Sequence, residues 1–299
     1  MLTIHYLLLA FTIFCTNIYA ETADLLIFTK DRPLQLQALL ESLDVYVTGL
    51  QKIAVLCHAK NDRFLAGYKQ LERNFPNVEF VYQSRNNPRQ DFWPLIKDIC
   101  DGMSSSYFMF GVDDTIIIDY MKIEECIAMM QQTDSYAFYP YMGKDITYCY
   151  MTQTQKLPPR LQNVGNNLCT WDLLAGVGPW GYIYSVYMTI YTRKEIDHLL
   201  HVLQAASPNQ LEEMWGGNAI VYPQMKGLCY TRSHIINVPL NMVQYDCPQN
   251  NCSRRYSVEQ LLESFEHKWR IDIQAFYQLQ HNAPHTDTDI PLTKKPLRG

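Results

Sequence analysis

The sequence predicts an α/β fold in which a mostly parallel sheet is flanked by helices and followed by a less regular C-terminal half. Apolar runs of strand length alternate with segments of helical periodicity about every 25 to 30 residues in the first half, which is typical of βαβ units. These runs are apolar throughout, as in strands buried on both faces of a sheet. Of the 299 residues 47% are hydrophobic and 18% charged, which excludes a disordered chain or a charged coiled coil.

The first half contains five predicted strands, at 24–29, 52–58, 78–83, 106–112 and 136–140. The segments between them have the spacing of amphipathic helices, at 34–43, 63–75, 91–103 and 121–132. Pro33 suits the first turn of the first helix, where its missing N–H breaks no hydrogen bond. The carboxyl ends of the strands therefore meet at one edge, where ligands bind in sheets of this kind.

The second half is less regular, and we predict no separate domain there. Strands are expected at 147–152, 184–192 and 234–238, and helices at 193–204, 208–215 and 258–267. The chain thus divides into a leader at 1–20, two halves of one domain at 21–141 and 142–281, and a loose, Thr/Pro/Asp-rich tail at 282–299.

The leader is apolar and contains no Asp, Glu, Lys or Arg. It has the short apolar core and the terminal small residue, Ala20, of a cleaved signal peptide, although it lacks the usual basic start. The alternative is an uncleaved N-terminal membrane anchor, for which the apolar run is short. Either interpretation predicts export or membrane association, and the side of the membrane stays open. A segment that is neither a signal peptide nor an anchor is the third alternative.

The nine cysteines form no CxxC pair, so the sequence does not indicate a zinc ribbon or a thioredoxin site. Cys57, Cys100 and Cys126 lie on apolar faces and are expected to be buried. Cys247 and Cys252 are close enough in sequence to bridge in an oxidising compartment, and two free thiols are the alternative.

Two carboxylates, Asp113 and Asp114, end the fourth apolar strand. Without a counter-ion, adjacent acids at such a place suffer repulsion and desolvation, and a hard divalent cation relieves both. A solvated turn in which Asp114 caps the next segment is the alternative. The net charge of −5 argues against nucleic acid as a partner, and neither GxGxxG nor GxxxxGK[ST] follows the first strand.

These features carry a family resemblance. The first strand ends in Leu26-Ile-Phe-Thr-Lys-Asp-Arg-Pro33, and Phe110-Gly-Val-Asp-Asp114 follows about eighty residues later. This layout resembles the family-2-like nucleotide-diphosphosugar glycosyltransferases of the GT-A fold, a Rossmann-type sheet with an acidic DxD-type motif. The resemblance covers roughly residues 24–141. It departs from the family pattern in having Val112 where a strict D-x-D has its first acid, which leaves open which aspartate is the direct metal ligand.

The resemblance implies that residues 21–141 bind a nucleotide-sugar donor, with a pocket lined by Thr29, Asp31, Arg32, Asp62 and Arg85. Arg85 and Arg89 could instead meet the diphosphate, or form surface ion pairs. Asp113 and Asp114 would hold Mn²⁺ or Mg²⁺ as a Lewis acid for the leaving diphosphate. Among the C-terminal histidines that such enzymes add as a third ligand, we prefer His285 over His234 and His281.

The resemblance also implies an acceptor side within residues 142–281. An inverting transferase needs a carboxylate base, and the candidates are Glu212, Glu213 and Asp172. The two glutamates could instead be acids favoured near a helix N-terminus, and a retaining enzyme would need no such base. Most tyrosines of this half are expected to pack as core, but Trp180 and Tyr182 in a Gly-rich turn are candidates for contact with a sugar ring.

The expected function is therefore transfer of a sugar from a nucleotide-diphosphate sugar to a glycan, lipid or protein acceptor. Two alternatives stay open. One is a relative of the same fold that has lost catalysis and binds a glycan or nucleotide. The other is a metal-dependent nucleotidyltransferase, although residues 29–33 lack the Gly-rich, Lys-containing loop that would favour it.

Overall fold

The computed structural model describes residues 21–218, 222, 224–244, 246 and 250–295. The predicted leader and Cys247 lie outside these residues, and with them the predicted signal peptide and the predicted Cys247–Cys252 pair. Cys57, Cys100 and Cys126 are buried free thiols, as predicted. No helix of the described ranges combines the length and the apolar character needed to cross a membrane.

Within the described residues, seven α-helices alternate with short and long strands. The helices are α1 (Pro33–Tyr46), α2 (Asp62–Asn74), α3 (Pro88–Asp101), α4 (Ile123–Thr133), α5 (Arg193–Val202), α6 (Pro208–Asn218) and α7 (Val258–Glu266). The strands are β1 (Ala23–Lys30), β2 (Val47–Thr48), β3 (Leu50–His58), β4 (Val78–Tyr82), β5 (Tyr107–Val112), β6 (Thr115–Ile117), β7 (Met121–Lys122), β8 (Ala137–Phe138), β9 (Tyr148–Cys149), β10 (Thr154–Gln155), β11 (Gln162–Gly165), β12 (Leu168–Asp172), β13 (Ile190–Thr192), β14 (Lys226–Tyr230), β15 (Ile235–Asn237), β16 (Arg270–Ile271) and β17 (Leu292–Thr293).

Nine strands form the central sheet, in the order β11-β12-β14-β8-β13-β5-β1-β3-β4. Strands β5, β1, β3 and β4 are parallel to one another, as the apolar runs predicted. Strand β13 is antiparallel to β5 and β8, and β11, β12 and β14 pair antiparallel, so the C-terminal part of the sheet is mixed. The α/β fold class is confirmed.

The parallel half is built as its sequence predicts. The side chains of β1 from Ala23 to Phe28 are buried, and α1 is buried on most of its sides, including all of its leucines. Pro33 stands in the first turn of α1, and the side chain of Asn61 caps α2 by accepting from the N–H groups of Arg63 and Phe64. This packing fixes the carboxyl ends of β1, β3 and β5 at one edge.

The predicted strand at 184–192 is shorter in the structure and is confined to β13. Side chains take the backbone donors that a strand ladder would need: the N–H of Ser185 donates to the Tyr191 hydroxyl and the N–H of Val186 to Glu212. Met188 also has a φ of 54°, which interrupts an extended strand. The local sequence therefore overestimates this strand, because its backbone is bound by distant side chains.

Two strands, β12 and β14, were missed by the sequence analysis. They pair with each other, and Trp171 lies opposite Gly227. A Cβ at Gly227 would lie 2.5 Å from ring atoms of Trp171, so only glycine allows this close approach. A glycine in a short strand weakens the strand signal, although here it is required by packing.

The segment after Asn282, predicted to be a loose tail, is packed as far as Lys295. Ala283 and Ile290 are buried, and β17 pairs with β16. The backbone of His285 forms a parallel bridge with Asn237 at the end of β15. This contact places the C-terminal segment beside the carboxyl ends of the parallel strands.

Candidate active site

A cavity of about 1020 Å³ lies at the carboxyl edge of the parallel strands. Its wall is formed by the ends of β1, β3 and β5 and by loops of the C-terminal half. The residues singled out from the sequence that line it are Thr29, Asp31, Arg32, Arg85, Arg89, Asp113, Asp114, Tyr182, Glu212 and His285. The two halves of the chain thus contribute to one site.

Three predicted carboxylates do not line this cavity. Asp62 starts α2 with a side chain that is 89% exposed and pairs with Arg85. Asp172 is exposed and accepts from the N–H of Leu174, so it caps a short 3-10 helix. Glu213 points to solvent on α6. Asp62 and Asp172 thus have local structural roles, and neither Asp172 nor Glu213 faces the cavity in which a base would act.

Trp180 is also placed differently from the expectation. Its side chain is fully buried, its indole N–H donates to the carbonyl of Ile146 at 3.0 Å, and its ring meets Trp171 edge to face at 5.1 Å. It is a core residue and cannot contact an acceptor in this arrangement. Tyr182, two residues later, is 49% exposed and lines the cavity.

The end of β1 forms one wall through a tight set of hydrogen bonds. The Thr29 hydroxyl donates to Asp113 Oδ2 at 2.8 Å and lies 2.8 Å from the hydroxyl of Tyr68. Asp31 has a φ of 54° and accepts from the N–H of Lys60 at 2.8 Å, which ties this turn to the loop after β3. This turn is predicted to meet a nucleotide, and it is rigidly held here.

The acid pair is partly neutralised by a cation from within the protein. Arg32 Nη1 lies 2.9 Å from Asp113 Oδ1 and 2.9 Å from Asp114 Oδ2. Arg32 Nε donates to Asn241 Oδ1 at 2.8 Å, and its Nη2 donates to the carbonyl of Asn241. Arg32 is buried, so this guanidinium is a fixed positive charge between two carboxylates.

The two aspartates differ in their surroundings. Asp113 Oδ2 also accepts from the N–H of Lys30 at 3.1 Å, and the side chain of Asp113 is 4% exposed. The side chain of Asp114 is 13% exposed, and its Oδ1 accepts from the amide of Asn237 at 2.6 Å. All four carboxylate oxygens therefore accept hydrogen bonds from the protein, and Asp114 is the more accessible acid.

Charges in this cluster perturb one another. Burial raises the pKa of Asp113 to about 6, against the opposing charge of Arg32. Burial alone would lower the pKa of Arg32, but the charges of Asp113 and Asp114 raise it, so the guanidinium stays protonated. One positive charge thus balances one of the two acids, and a fully ionised cluster keeps a net negative charge.

A divalent cation fits beside Asp114 better than beside Asp113. Asn237 Oδ1 is buried and has no hydrogen-bond partner within the described part of the chain, while the other atom of its amide is fixed on Asp114. The backbone of His285 pairs with that of Asn237 in a β-bridge. Burial lowers the pKa of the His285 imidazole, which keeps it in the neutral form that binds metals. Asp114, Asn237 and His285 all line the cavity and supply carboxylate, carbonyl and imidazole donors.

These donors do not make a complete protein cage. Among the described residues, no group of three or more His, Cys, Asp or Glu side chains is placed to hold a metal ion. A cation here would need further ligands from a bound diphosphate or from water, as is common for Mg²⁺.

Glu212 faces the same cavity from helix α6. Its Oε1 accepts from the N–H of Val186 at 2.7 Å, and its Oε2 accepts from the hydroxyl of Tyr182 at 2.8 Å. Burial raises the pKa of Glu212 to about 7, although these hydrogen bonds oppose the shift. A half-buried carboxylate with a pKa near neutrality is suited to proton transfer.

Sequence reasoning missed two asparagines of this site, Asn237 and Asn241. Asn241 Nδ2 is buried in the cavity wall and has no hydrogen-bond partner in the described ranges, while its Oδ1 holds Arg32. Both lie within or just after the apolar segment 234–240. A polar residue at or near the end of an apolar segment is the pattern that could have predicted both asparagines, and the same pattern predicted Asp113.

No protein-family model matches the chain. The curated bifunctional glycosyltransferase pgtA of Dictyostelium discoideum is 24% identical over 198 residues, which cover 58% of this chain and 24% of that protein. The chain therefore spans about a quarter of the length of this relative.

Two solved structures match part of the chain at low sequence identity. A crystal structure of GalNAc-T7 with UDP, GalNAc and Mn²⁺ matches 82% of this chain and 48% of its own, at 11% identity and a TM-score of 0.48. A crystal structure of S. aureus TarS 1-349 in complex with UDP matches 72% of this chain and 59% of its own, at 12% identity and a TM-score of 0.43. The similarity in sequence to a curated glycosyltransferase confirms the resemblance to glycosyltransferases.

Proposed function

We propose that this chain is a metal-assisted glycosyltransferase that moves a sugar from a nucleotide-diphosphate sugar to an acceptor hydroxyl. One observation carries the proposal: a single cavity joins the acid pair at the end of β5 to Glu212, a carboxylate with a pKa of about 7. Sugar transfer from a diphosphate needs a site for the leaving group, and an inverting transferase also needs a carboxylate that accepts the proton of the acceptor hydroxyl. The similarity to pgtA supports the same activity.

On the donor side, the cavity is suited to a diphosphate. The buried amide Nδ2 of Asn241 and the guanidinium groups of Arg85 and Arg89 line it and can donate to phosphate oxygens. Mn²⁺ or Mg²⁺, held by Asp114, His285 and Asn237, would supply Lewis-acid stabilisation of the leaving diphosphate. Asp113 then serves to fix Thr29 and Arg32 rather than to bind the cation directly.

On the acceptor side, Glu212 accepts the proton of the attacking hydroxyl. The bond between the acceptor oxygen and the anomeric carbon forms as the bond from that carbon to the phosphate oxygen breaks, and the electron pair leaves with the diphosphate. Tyr182 presents an exposed ring beside Glu212, and an aromatic face of this kind suits a sugar ring. A glycan acceptor fits this wall, and lipid or protein acceptors are the alternatives.

The proposal is tested by calorimetric titration of the full chain with UDP, GDP and CDP, with and without Mn²⁺. Binding that depends on Mn²⁺ and is lost in Asp114→Asn is expected. Turnover is then measured as release of the nucleoside diphosphate from the matching sugar donor. A folded protein that binds none of the three nucleotides contradicts the proposal.

One observation favours a second candidate, a binding protein of the same fold without catalysis. Arg32 already neutralises part of the acid pair, as would suit a site that no longer needs a cation. Nucleotide binding without any release of diphosphate, in the presence of Mn²⁺ and a range of acceptors, would favour this candidate over the transferase.

A further inference from the structure

We propose that Arg32 is a resident counter-ion that competes with the divalent cation for Asp114, so that the free protein binds metal weakly. This inference rests on the metal-assisted function proposed above. The guanidinium is in direct contact with the carboxylate that a cation would need, at 2.9 Å from Asp114 Oδ2. It is a positioning residue, because it acts on the site through Asp114.

The contacts of Arg32 show that this is a built arrangement. Four of its five N–H donors are engaged: two on the aspartates and two on Asn241. Its backbone N–H donates to the Tyr68 hydroxyl at 2.9 Å, so the start of helix α1 is fixed as well. The side chain is therefore held from both ends, and its charge cannot move away from the acids without breaking hydrogen bonds to Asn241.

The charge argument gives the direction of the effect. A carboxylate oxygen has more than one lone pair, so Arg32 does not block Asp114 sterically from every side. It does place a positive charge within hydrogen-bonding distance of the oxygen that a cation would approach, and like charges at this range repel strongly where water is excluded. Bound diphosphate brings negative charge to the cavity and offsets this repulsion. Metal binding is accordingly expected to be tighter once a nucleotide is present.

The test uses Mn²⁺ alone, followed by the loss of the free-ion electron paramagnetic resonance signal, with full-length protein and no nucleotide. Arg32→Gln removes the charge and keeps a side-chain amide that can meet Asn241. The affinity of this variant for Mn²⁺ is expected to exceed that of the unchanged protein by about tenfold or more. Arg32→Gln/Asp114→Asn is the matched control, and it is expected to lose the gain.

A folded Arg32→Gln protein that binds Mn²⁺ no more tightly than the unchanged protein overturns the inference. Should this variant fail to fold, Arg32→Met decides, because it removes the same charge from both aspartates and keeps an unbranched side chain of similar length. A gain in Mn²⁺ affinity in Arg32→Met supports competition, and an unchanged affinity overturns it. The assay contains no nucleotide, so failure of the proposed function appears separately, as absent nucleotide binding.

Discussion

Replacing Glu212 by glutamine tests the chemistry most directly. Glutamine keeps the size of the side chain and can still accept from Val186, but it cannot take a proton from an acceptor hydroxyl. A general base contributes roughly 10²- to 10⁴-fold to a rate, which corresponds to about 3 to 5.5 kcal/mol of barrier. We expect Glu212→Gln to lower kcat by this amount and to leave nucleotide affinity unchanged.

The pH dependence sharpens the expectation. With a pKa of about 7, Glu212 is mostly protonated below neutrality and mostly ionised above it. The activity of the unchanged protein should therefore fall about tenfold between pH 8 and pH 6, since about nine-tenths of the carboxylate is ionised at pH 8 and about one-tenth at pH 6. The residual activity of Glu212→Gln should not fall over this pH range.

The assay is release of nucleoside diphosphate over this pH range, with Glu213→Gln as the matched control on the same helix. Stability provides a second check. Because the pKa of Glu212 is raised from its usual 4.5 to about 7, folding favours its protonated form, and its contribution to the free energy of unfolding falls as the pH rises between these values. Glu212→Gln should remove that decline, so it should be folded at pH 8. Equal rates for the two glutamine variants would refute the assignment of Glu212 as the base.

Three further expectations follow from the same contacts. Asp114→Asn should weaken Mn²⁺-dependent nucleotide binding by more than roughly tenfold, the cost of losing a residue that only hydrogen-bonds to a metal ligand. Calorimetry measures this affinity. An equal loss of affinity in the exposed control Asp62→Asn would contradict the assignment of Asp114 as a ligand. Trp180→Ala should cost about 3 to 5 kcal/mol of stability; a melting temperature unchanged in a thermal scan, with acceptor KM raised, would restore this residue to the acceptor site. Tyr182→Phe removes a hydrogen bond that favours the charged form of Glu212. The pH at which activity is half of its maximum should therefore rise by about 0.7. A fall in this pH would contradict a hydrogen bond from Tyr182 to the Glu212 carboxylate.

The parallel half was predictable because its information is local. Strands buried on both faces must be apolar throughout, and the residues that end β1 and β5 are then brought together by the parallel arrangement itself. Thr29 and Asp113 are far apart in the chain, and adjacency of β1 and β5 is enough to place them within hydrogen-bonding distance. That step needs only the order of strands in the sheet.

The acceptor side was less predictable, since its backbone is organised by side chains from elsewhere in the chain. The N–H of Val186 donates to Glu212 and the N–H of Ser185 donates to the Tyr191 hydroxyl. These residues therefore form no strand, although their sequence predicts one. For the same reason, the choice among three candidate carboxylates could not be made from spacing. Glu212 and Glu213 are neighbours in sequence, and only the direction of helix α6 separates a cavity residue from a solvent-exposed one.

Arg32 weakens the case that the sequence makes for a metal ion. Adjacent aspartates at the end of an apolar strand need a positive partner, and the protein supplies one from its own turn after β1. The acid pair alone therefore no longer argues for a divalent ion. What argues for it is the asymmetry around Asp114: a partly exposed carboxylate, an amide oxygen without a partner in the described chain, and an imidazole held neutral by burial. A cation at that place would leave Asp113 paired with Arg32, so each acid would keep one positive neighbour.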